Sequence, residues 1–347
     1  MTAQTEMTAA VWTGPDAVET RRVPMPEVPE GWALVRMAYN GICGTDLAIL
    51  HGKHPRAQAP LIMGHEMSGW VQTAGATGPA AGALVVVEPL LSCGDCKSCR
   101  DGNAYVCRNL GLYGIDTPGG MAEYVALPPE VLHEVPAGVD PLTASLAEPL
   151  AVAVHAVSLS GMAKGDTVAV YGAGPIGVLT ALVARHEGAG TVVITEPSAW
   201  RRSVAKDLGF TVVPEGSTMA ETLAPLTDGE GADTTFDTAA HPSVAAELTD
   251  VTRVLGRIVV VGVYKAPSAI NLRDVCFKEQ TVSGVRVYTT PDVTRAIELI
   301  ASGALGLDTF PTKTFGLDQV GAAFDAATSG QDFLKVLVTP LNDKADS

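Results

Sequence analysis

The spacing of hydrophobic positions differs between the two halves of the chain. In the first half, short apolar runs separated by glycine and proline predict β-strands at residues 33–37, 84–87 and 122–126. Residues 142–159 then form an apolar stretch of helical length. This pattern predicts a β-rich part of the chain that ends in a helix.

From residue 167 onward, apolar runs of strand length alternate with stretches of helical length. The predicted strands are residues 167–171, 191–195, 234–237, 257–263, 281–287, 312–315 and 333–338, and the predicted helices are residues 176–187, 199–208, 292–302 and 318–328. Because the valine- and isoleucine-rich runs are continuous, they predict a parallel sheet that is buried on both faces. The fold class that follows is α/β, with a doubly wound parallel-sheet domain after a β-rich one.

Length and charge narrow the class of protein. The 347 residues suggest two domains, and 38 acidic against 23 basic side chains give a formal net charge of −15. A surface this acidic repels the phosphates of nucleic acids. The N-terminal residues lack the basic and apolar segments of a secretory signal, and glycines and a proline interrupt the apolar, uncharged stretch at residues 167–184. We therefore expect a cytoplasmic protein without nucleic-acid or membrane partners.

Four of the six cysteines fall within one short segment, as Cys93, Cys96, Cys99 and Cys107. In a reducing compartment, cysteines at such spacing favour metal binding over disulfides. Four thiolates can surround Zn²⁺ as a closed tetrahedron, which leaves no position for a substrate and so indicates a structural site. Iron–sulfur ligation and reduced, unliganded cysteines are the alternatives.

A glycine-rich turn follows the predicted strand 167–171 and opens the next helix. Gly172 permits a tight turn, Gly174 lets the backbone approach a pyrophosphate, and Gly177 allows close helix–strand packing. Pro175 and Ile176 lie at the start of the helix, whose free N–H groups attract phosphate. In this context the turn predicts a dinucleotide-binding site.

Glu196 ends the second predicted strand of this domain. A carboxylate at this position accepts hydrogen bonds from the adenosine ribose and repels a 2′-phosphate, which favours NAD over NADP. Arg201 and Arg202 follow closely, and an arginine here can also hold the 2′-phosphate of NADP. We expect NAD, with Arg201 among the cofactor-binding residues.

Four further side chains offer ligands for a second metal: Cys43, His65, Glu66 and Glu148. Singly, each has an ordinary structural explanation, as a small buried cysteine, a core or surface histidine, or a helix-capping carboxylate. Together they supply one thiolate, one imidazole and two carboxylates. That set is typical of a catalytic zinc site with an exchangeable position.

These motifs resemble those of one enzyme family. CGTD at residues 43–46, GHE at 64–66, the four-cysteine segment, AEPLAVAVHA at 147–156, GAGPIG at 172–177 and VGV at 261–263 occur in the family's order. The chain resembles zinc-dependent medium-chain dehydrogenases/reductases of the polyol (sorbitol, butanediol) and threonine dehydrogenase branch. The resemblance implies a GroES-like β-barrel catalytic domain at residues 1–154, a Rossmann domain at 155–289 and a C-terminal return to the catalytic domain at 290–347. It also implies an active site in the cleft between them, and a homodimer or homotetramer.

The resemblance implies a role for each ligand residue. Cys43 and His65 would be zinc ligands, and Glu66 and Glu148 would share or exchange the remaining protein position. Asp46 would orient His65. With the four-cysteine segment, this gives two zinc ions per subunit, one catalytic and one structural.

The reaction implied by the resemblance moves a hydride to NAD. The hydride would come from a secondary alcohol of a polyol, diol or sugar acid, and a ketone would be released. Thr45 would accept the proton of the alcohol hydroxyl, and Val261 and Val263 would flank the nicotinamide. Ala48 stands where relatives often carry a histidine of the proton relay, so solvent, His51 or His54 would take the proton onward.

Only a few residues of the sequence bear on which class of substrate the enzyme oxidises. Leu90 stands where threonine dehydrogenases tend to carry a histidine, and Glu88 followed by proline is more similar to polyol and diol dehydrogenases. Sorbitol-type enzymes carry an Arg–Tyr pair that reaches substrate hydroxyls. Residues 284–288 place Arg286 and Tyr288 on the same strand face; a solvated or cofactor-facing arginine is the alternative. The rival functions are an L-threonine 3-dehydrogenase and, in another class, a non-catalytic cofactor-binding or structural relative.

Overall fold

The computed structural model describes residues 4–330 and 332–341. Its strands are β1 (Glu6–Gly14), β2 (Ala17–Pro24), β3 (Ala33–Gly41), β4 (Leu61–Ile62), β5 (Glu66–Thr73), β6 (Leu84–Val87), β7 (Leu90–Leu91), β8 (Gly111–Leu112), β9 (Tyr124–Leu127), β10 (Leu132–Glu134), β11 (Thr167–Tyr171), β12 (Thr191–Thr195), β13 (Thr211–Val212), β14 (Ala232–Asp237), β15 (Thr252–Val260), β16 (Thr281–Gly284), β17 (Thr312–Gly316) and β18 (Lys335–Thr339). Its α-helices are α1 (Gly44–Leu50), α2 (Lys97–Arg100), α3 (Pro141–Ala144), α4 (Ala147–Ser160), α5 (Pro175–His186), α6 (Ala199–Asp207), α7 (Met219–Leu223), α8 (Pro242–Val251), α9 (Leu272–Phe277), α10 (Thr290–Ala301) and α11 (Val320–Ser329). None of these helices is long and apolar enough to cross a membrane.

The chain divides into two compact units, residues 1–148 together with 293–347, and residues 149–292. The first unit is rich in β-structure. Its largest sheet has the strand order β10-β6-β5-β3-β18-β17, with β9 also paired to β3. All the pairs of this sheet are antiparallel except β17 with β18. Strand β3 therefore lies between β5 and β18, and side chains from these three strands can meet.

Apolar side chains fill the interior of this first unit as separate clusters. One cluster includes Trp12, Ile49, Met63, Phe324 and Val336, and another includes Met37, Met67, Val85 and Leu127. Each of these side chains is almost fully removed from water, which supplies the main driving force for folding. The packed clusters fix β3, β5 and β18 as a rigid support.

The second unit is a doubly wound α/β domain. Its six strands have the order β13-β12-β11-β14-β15-β16, and every neighbouring pair is parallel. The order reverses between β11 and β14, and in open parallel sheets ligands bind at the carboxyl ends of the strands at such a switch point. The predicted α/β fold class is confirmed.

Some predicted boundaries are wrong for local reasons. The stretch 142–159 is two helices, because Pro149 lacks an N–H and fits only the first turn of α4. Strand β15 ends at Val260 instead of residue 263, since Val261 and Gly262 both donate their N–H groups to the Asp237 carbonyl. Strand β16 ends at Gly284 instead of residue 287. Strands β1, β2 and β5 and helices α1, α8 and α9 are among the elements that were not predicted.

Candidate active site

The ligands of the open metal site come from two segments of the β-rich unit. Cys43 lies between β3 and α1, where its N–H donates to the Asp46 carboxylate at 2.8 Å. His65 and Glu66 follow Gly64, whose φ of 101° turns the chain into β5. The ligand atoms of Cys43, His65 and Glu66 all lie within 4.8 Å of one another. The structure thus brings three of the four predicted ligands together.

Glu148 lies outside this group of three ligand atoms. Its carboxylate is in the first turn of α4 and acts electrostatically on the same buried neighbourhood through Lys335. The geometry groups Glu66, and not Glu148, with Cys43 and His65.

The charges around His65 favour a cation. Asp46 is completely buried, and its Oδ1 lies 3.6 Å from His65 Nδ1. Neither atom has a hydrogen-bond partner among the described residues. Burial alone would lower the pKa of His65, but the Asp46 carboxylate and the Cys43 sulfur raise it well above its usual value. A cluster of sulfur, nitrogen and oxygen donors that stabilises positive charge, with its imidazole and carboxylate buried, fits a zinc ion.

Lys335 is a site residue that the sequence analysis missed. It is the first residue of β18 and is only 4% exposed, and its ammonium donates to Glu66 Oε1 at 2.5 Å. Burial would lower the pKa of Lys335, but Glu66 most of all, then Cys43, raises it above its usual value. The sequence feature that could have revealed it is a single lysine within the otherwise apolar run 333–338. A lysine is rarely buried without a charged partner, so this position indicates a buried ion pair.

The proton-relay candidates lie in different surroundings. Thr45 Oγ1 is 3.8 Å from Cys43 Sγ. His51 is exposed, and its Nδ1 lies 2.5 Å from Asp16 Oδ1. His54 is half-buried and accepts hydrogen bonds at Nδ1 from two backbone N–H groups, and burial lowers its pKa, followed by the nearby Arg56. Only the threonine hydroxyl is placed directly beside a predicted ligand.

The four clustered cysteines converge as predicted from their spacing. Sulfur–sulfur separations are 3.5 Å for Cys96–Cys99, 3.9 Å for Cys96–Cys107 and 3.4 Å for Cys93–Cys107. Zinc–sulfur bonds of about 2.3 Å in a tetrahedron require separations of about 3.8 Å. The sulfurs therefore fit one zinc ion with little movement.

The glycine-rich turn has the conformation that phosphate binding needs. Gly172 follows β11 with a φ of 101°, and Gly174 is the residue before helix α5, which begins at Pro175. A Cβ on Gly177 would overlap with the Gly172 carbonyl oxygen, so only glycine permits this packing. The free N–H groups at the start of α5 can then approach a pyrophosphate.

Glu196 also has a structural role that the sequence did not indicate. It is buried, and its carboxylate accepts hydrogen bonds from the N–H of Ala173 at 2.8 Å and from the N–H of Ser198 at 2.9 Å. It therefore holds the glycine-rich turn against the end of β12. Arg202 donates to the carbonyls of Glu196 and Pro197, which uses its guanidinium within the fold.

Unlike Arg202, Arg201 is not bound, among the described residues, to the backbone carbonyls at the end of the second strand. Its guanidinium lies beside Gly174, and its buried Nε has no hydrogen-bond partner in the described parts of the chain. An arginine held next to the phosphate-binding turn is available to a bound dinucleotide.

The predicted nicotinamide contacts lie on a loop that Asp237 organises. Asp237 is fully buried at the end of β14, and it accepts a hydrogen bond from the Tyr264 hydroxyl at 2.7 Å. Its carbonyl holds the N–H groups of Val261 and the next residue. Val261 is buried, whereas Val263 is 88% exposed. Within this unit, Val263 presents an apolar surface at the carboxyl edge of the sheet.

The expectation for Arg286 and Tyr288 is wrong in one respect. The two residues do not share a strand face, because β16 ends at Gly284 and Val287 has a φ of 47° that breaks the alternation. Arg286 is exposed, whereas Tyr288 is completely buried. A joint substrate clamp of the predicted form is therefore not present in this unit.

The two groups of metal-binding side chains and the glycine-rich turn define a class of protein, the zinc-containing dehydrogenases that use a nicotinamide cofactor. The family described as "Alcohol dehydrogenase GroES-like domain" matches residues 29–137, and "Zinc-binding dehydrogenase" matches residues 175–302. A 2-dehydro-3-deoxy-L-galactonate 5-dehydrogenase of Pseudoalteromonas atlantica is 38% identical over 87% of this chain and 89% of that protein. An L-threonine 3-dehydrogenase of Bacillus subtilis is 34% identical over 89% and 91%. A zinc-binding dehydrogenase of Sinorhizobium meliloti, solved with NADP, is 33% identical with a TM-score of 0.90 over 97% of this chain and 100% of that one.

The chain belongs to the zinc-dependent medium-chain dehydrogenase/reductase family, in the branch of polyol and threonine dehydrogenases. It is an oxidoreductase that acts on alcohols. The predicted family is confirmed, as is the predicted combination of a GroES-like domain with a Rossmann-type sheet.

Proposed function

We propose that this protein is an NAD-dependent zinc dehydrogenase that oxidises a secondary alcohol of a polyol, vicinal diol or sugar acid to a ketone. The observation that carries the proposal is the group of half-buried Cys43 with buried His65 and Glu66, whose ligand atoms lie within 4.8 Å of one another. The similarity to a dehydrogenase named for a sugar acid supports this substrate range.

The chain's own residues prepare the reaction. Cys43, His65 and Glu66 would hold a zinc ion that supplies Lewis acidity towards an alcohol oxygen, and the glycine-rich turn would hold NAD as the hydride acceptor. The buried Asp46 carboxylate lies 3.6 Å from His65 Nδ1 and attracts the imidazole electrostatically. Thr45, with its hydroxyl next to Cys43, accepts the alcohol proton and releases its own hydroxyl proton to water. Burial of His65 and Glu66 keeps water from these charges and so strengthens their electrostatic effect.

A substrate screen tests this proposal. Polyols, diols, sugar acids and amino alcohols are offered with NAD, and NADH formation is followed by its absorbance. Cys43→Ser, which removes one ligand sulfur, is the matched control and should be inactive on every substrate. Activity that survives in Cys43→Ser, or no activity with any alcohol, would contradict the proposal.

Threonine oxidation is the second candidate function, because an L-threonine 3-dehydrogenase covers most of the chain at 34% identity. Against it, Leu90 pairs with Leu112 across β7 and β8, and no histidine stands at that position. In the same screen, NADH formation with threonine alone would favour this candidate. Formation with polyols or sugar acids would favour the first.

Glu196 supports the preference for NAD. Its negative charge is fixed at the end of β12, where the adenosine ribose lies in this type of sheet. Arg202 is engaged with backbone carbonyls, so Arg201 is the remaining arginine for a 2′-phosphate. We expect kcat/KM to be at least about tenfold higher with NAD, which is roughly 1.4 kcal/mol. A preference for NADP that disappears in Arg201→Ala would contradict this expectation.

A second copy of this chain is the partner we propose for the edge of the parallel sheet. Strand β16 is the last in the strand order, and no described strand pairs with its outer side. Exposed apolar side chains surround this edge: Val254, Leu255, Leu272, Phe277 and Val282. An unpaired edge with an apolar surround can add an antiparallel strand across a two-fold axis, which gives a homodimer as a first step of assembly.

The proposed location is the cytoplasm. Both ligand sets depend on free cysteines, and all six cysteines of the chain are free. A reducing compartment keeps thiols available for metal binding.

A further inference from the structure

Strand β3 has a gap in its row of side chains beside the metal ligands. Gly41, the last residue of β3, is opposite Glu66 of β5 on one side and opposite Leu337 of β18 on the other. A Cβ on Gly41 would overlap with Glu66 Oε2 and lie 2.8 Å from Lys335 Cε. The missing side chain therefore opens the passage through which Lys335 reaches Glu66 across the central strand.

The pair that meets in this passage is almost completely buried. Lys335 is 4% exposed and Glu66 is 1% exposed, and the ammonium donates to Glu66 Oε1 at 2.5 Å. Neither charge has water to stabilise it, so each depends on its partner. The carboxylate of a predicted metal ligand is thus already neutralised by a cation of the chain itself.

We propose that Lys335 is a positioning residue that competes with the catalytic metal for the Glu66 carboxylate and so limits how tightly this site holds zinc. The inference rests on the proposed metal site. Lys335 places a positive charge next to a site for a dication, and its hydrogen bond draws the carboxylate towards β18. Gly41 is the residue that makes this competition geometrically possible.

Zinc affinity tests the inference directly. Zinc is titrated into metal-free protein against a chromogenic chelator, with Lys335→Met compared with wild type and with Lys335→Arg. Methionine keeps the length of the side chain but removes the charge, so Glu66 becomes free to bind the metal. We expect the affinity of this site to rise by about tenfold or more in Lys335→Met, because a positive charge that repels the dication is removed. Lys335→Arg should remain near wild type.

A second substitution shows whether the effect passes through Glu66. In Lys335→Met/Glu66→Gln the gain in zinc affinity should disappear. Cobalt gives a spectroscopic readout that is independent of activity: the visible bands should shift in Lys335→Met, because an additional carboxylate oxygen joins the metal, and should stay unshifted in Lys335→Arg. The four-cysteine site serves as an internal control, and its affinity should not change.

The possible results separate this inference from the proposed function. A wild-type protein that binds zinc only at the four cysteines would refute the proposed metal site. Two zinc ions in wild type, with no gain in affinity and no shift of the cobalt bands in Lys335→Met, would show that Lys335 is only structural. If metal-free Lys335→Met does not fold, zinc should restore its folding, since the metal then compensates Glu66. Failure of zinc to restore folding would overturn the inference.

Discussion

Thr45 places a hydroxyl beside the ligand cysteine, with Oγ1 3.8 Å from Cys43 Sγ. Thr45→Val keeps the β-branched shape and removes the hydroxyl, so the proton of the alcohol loses its first acceptor. A positioned proton-transfer group contributes about 10²–10⁴-fold to the rate. We expect kcat to fall by that order, with zinc content and NADH binding near wild type, as measured by steady-state kinetics, elemental analysis and NADH fluorescence.

The histidines near Thr45 provide the contrast. Thr45→Ser should keep most of the activity, because the hydroxyl remains. His51 is exposed and bound to Asp16, so His51→Ala should cost no more than a few-fold, and His54→Ala likewise, with water completing the relay. A hundredfold loss in either histidine variant, together with a nearly active Thr45→Val, would reverse the assignment.

At the scale of single elements, the stability of the four-cysteine segment depends more on its bound metal than on apolar packing. Helix α2 has only four residues, none of them buried, so few apolar contacts hold the segment. Closed zinc sites contribute folding free energy directly. We expect Cys96→Ser to lose one zinc ion per subunit by elemental analysis and to lower the melting temperature clearly.

The exposed Cys276 offers a matched control, because it is a cysteine outside both ligand sets. Cys276→Ser should keep two zinc ions and the wild-type melting temperature. Equal zinc content in Cys96→Ser and Cys276→Ser would be incompatible with a zinc-bound segment.

Helix α10 begins with a buried, hydrogen-bonded carboxylate that makes stability depend on pH. Asp292 accepts hydrogen bonds from Thr289 N at 2.8 Å and Thr289 Oγ1 at 2.6 Å, and its Oδ2 lies 2.8 Å from His155 Nδ1. Burial would raise the pKa of Asp292, but His155 first and then Thr289 lower it below the ordinary 3.8. The charged form is therefore favoured in the folded state. Its contribution to stability is fully present above pH 3.8 and is lost as the pH falls through the lowered pKa.

Asp292→Asn tests this contact. The variant should lose about 1–3 kcal/mol of unfolding free energy at neutral pH, because the charge-assisted hydrogen bonds weaken. Chemical denaturation at a series of pH values measures the difference from wild type, which should shrink only in strong acid. A difference that is constant down to the acid limit would contradict the assigned cause.

At the scale of the whole molecule, the proposed dimer follows from the outer edge of the parallel sheet. Val282 lies on β16 and is 41% exposed. Val282→Lys would bring two like charges together across a two-fold axis, so we expect light scattering coupled to size exclusion to show a shift from oligomer to monomer.

Val28 is an apolar residue of the β-rich unit with the same 41% exposure, and Val28→Lys should leave the oligomer intact. A monomeric wild-type protein would refute the proposed assembly. A monomer produced by Val28→Lys but not by Val282→Lys would place the interface elsewhere.

The sequence by itself determined the elements and sites whose residues lie close together in the chain. Strands β11 and β12 were predicted to the residue, because continuous apolar runs between turn residues can only be buried strands here. The glycine-rich turn and the four-cysteine segment were likewise readable, since all their residues lie close together in the chain. Cys43, His65 and Glu66 were proposed as ligands from their donor chemistry, together with Glu148, and the resemblance of their short motifs assigned a role to each.

Only the tertiary structure decided the contacts between distant residues. Lys335 and Glu66 are 269 positions apart, and no local pattern tells which carboxylate a buried lysine meets across Gly41. The anchoring of the glycine-rich turn by Glu196, the engagement of Arg202 and the backbone turn at Val287 also depend on packing around them. The physical reason is that strand periodicity and ligand spacing act within a few residues, whereas a buried charge is stabilised only by the partner that folding places beside it.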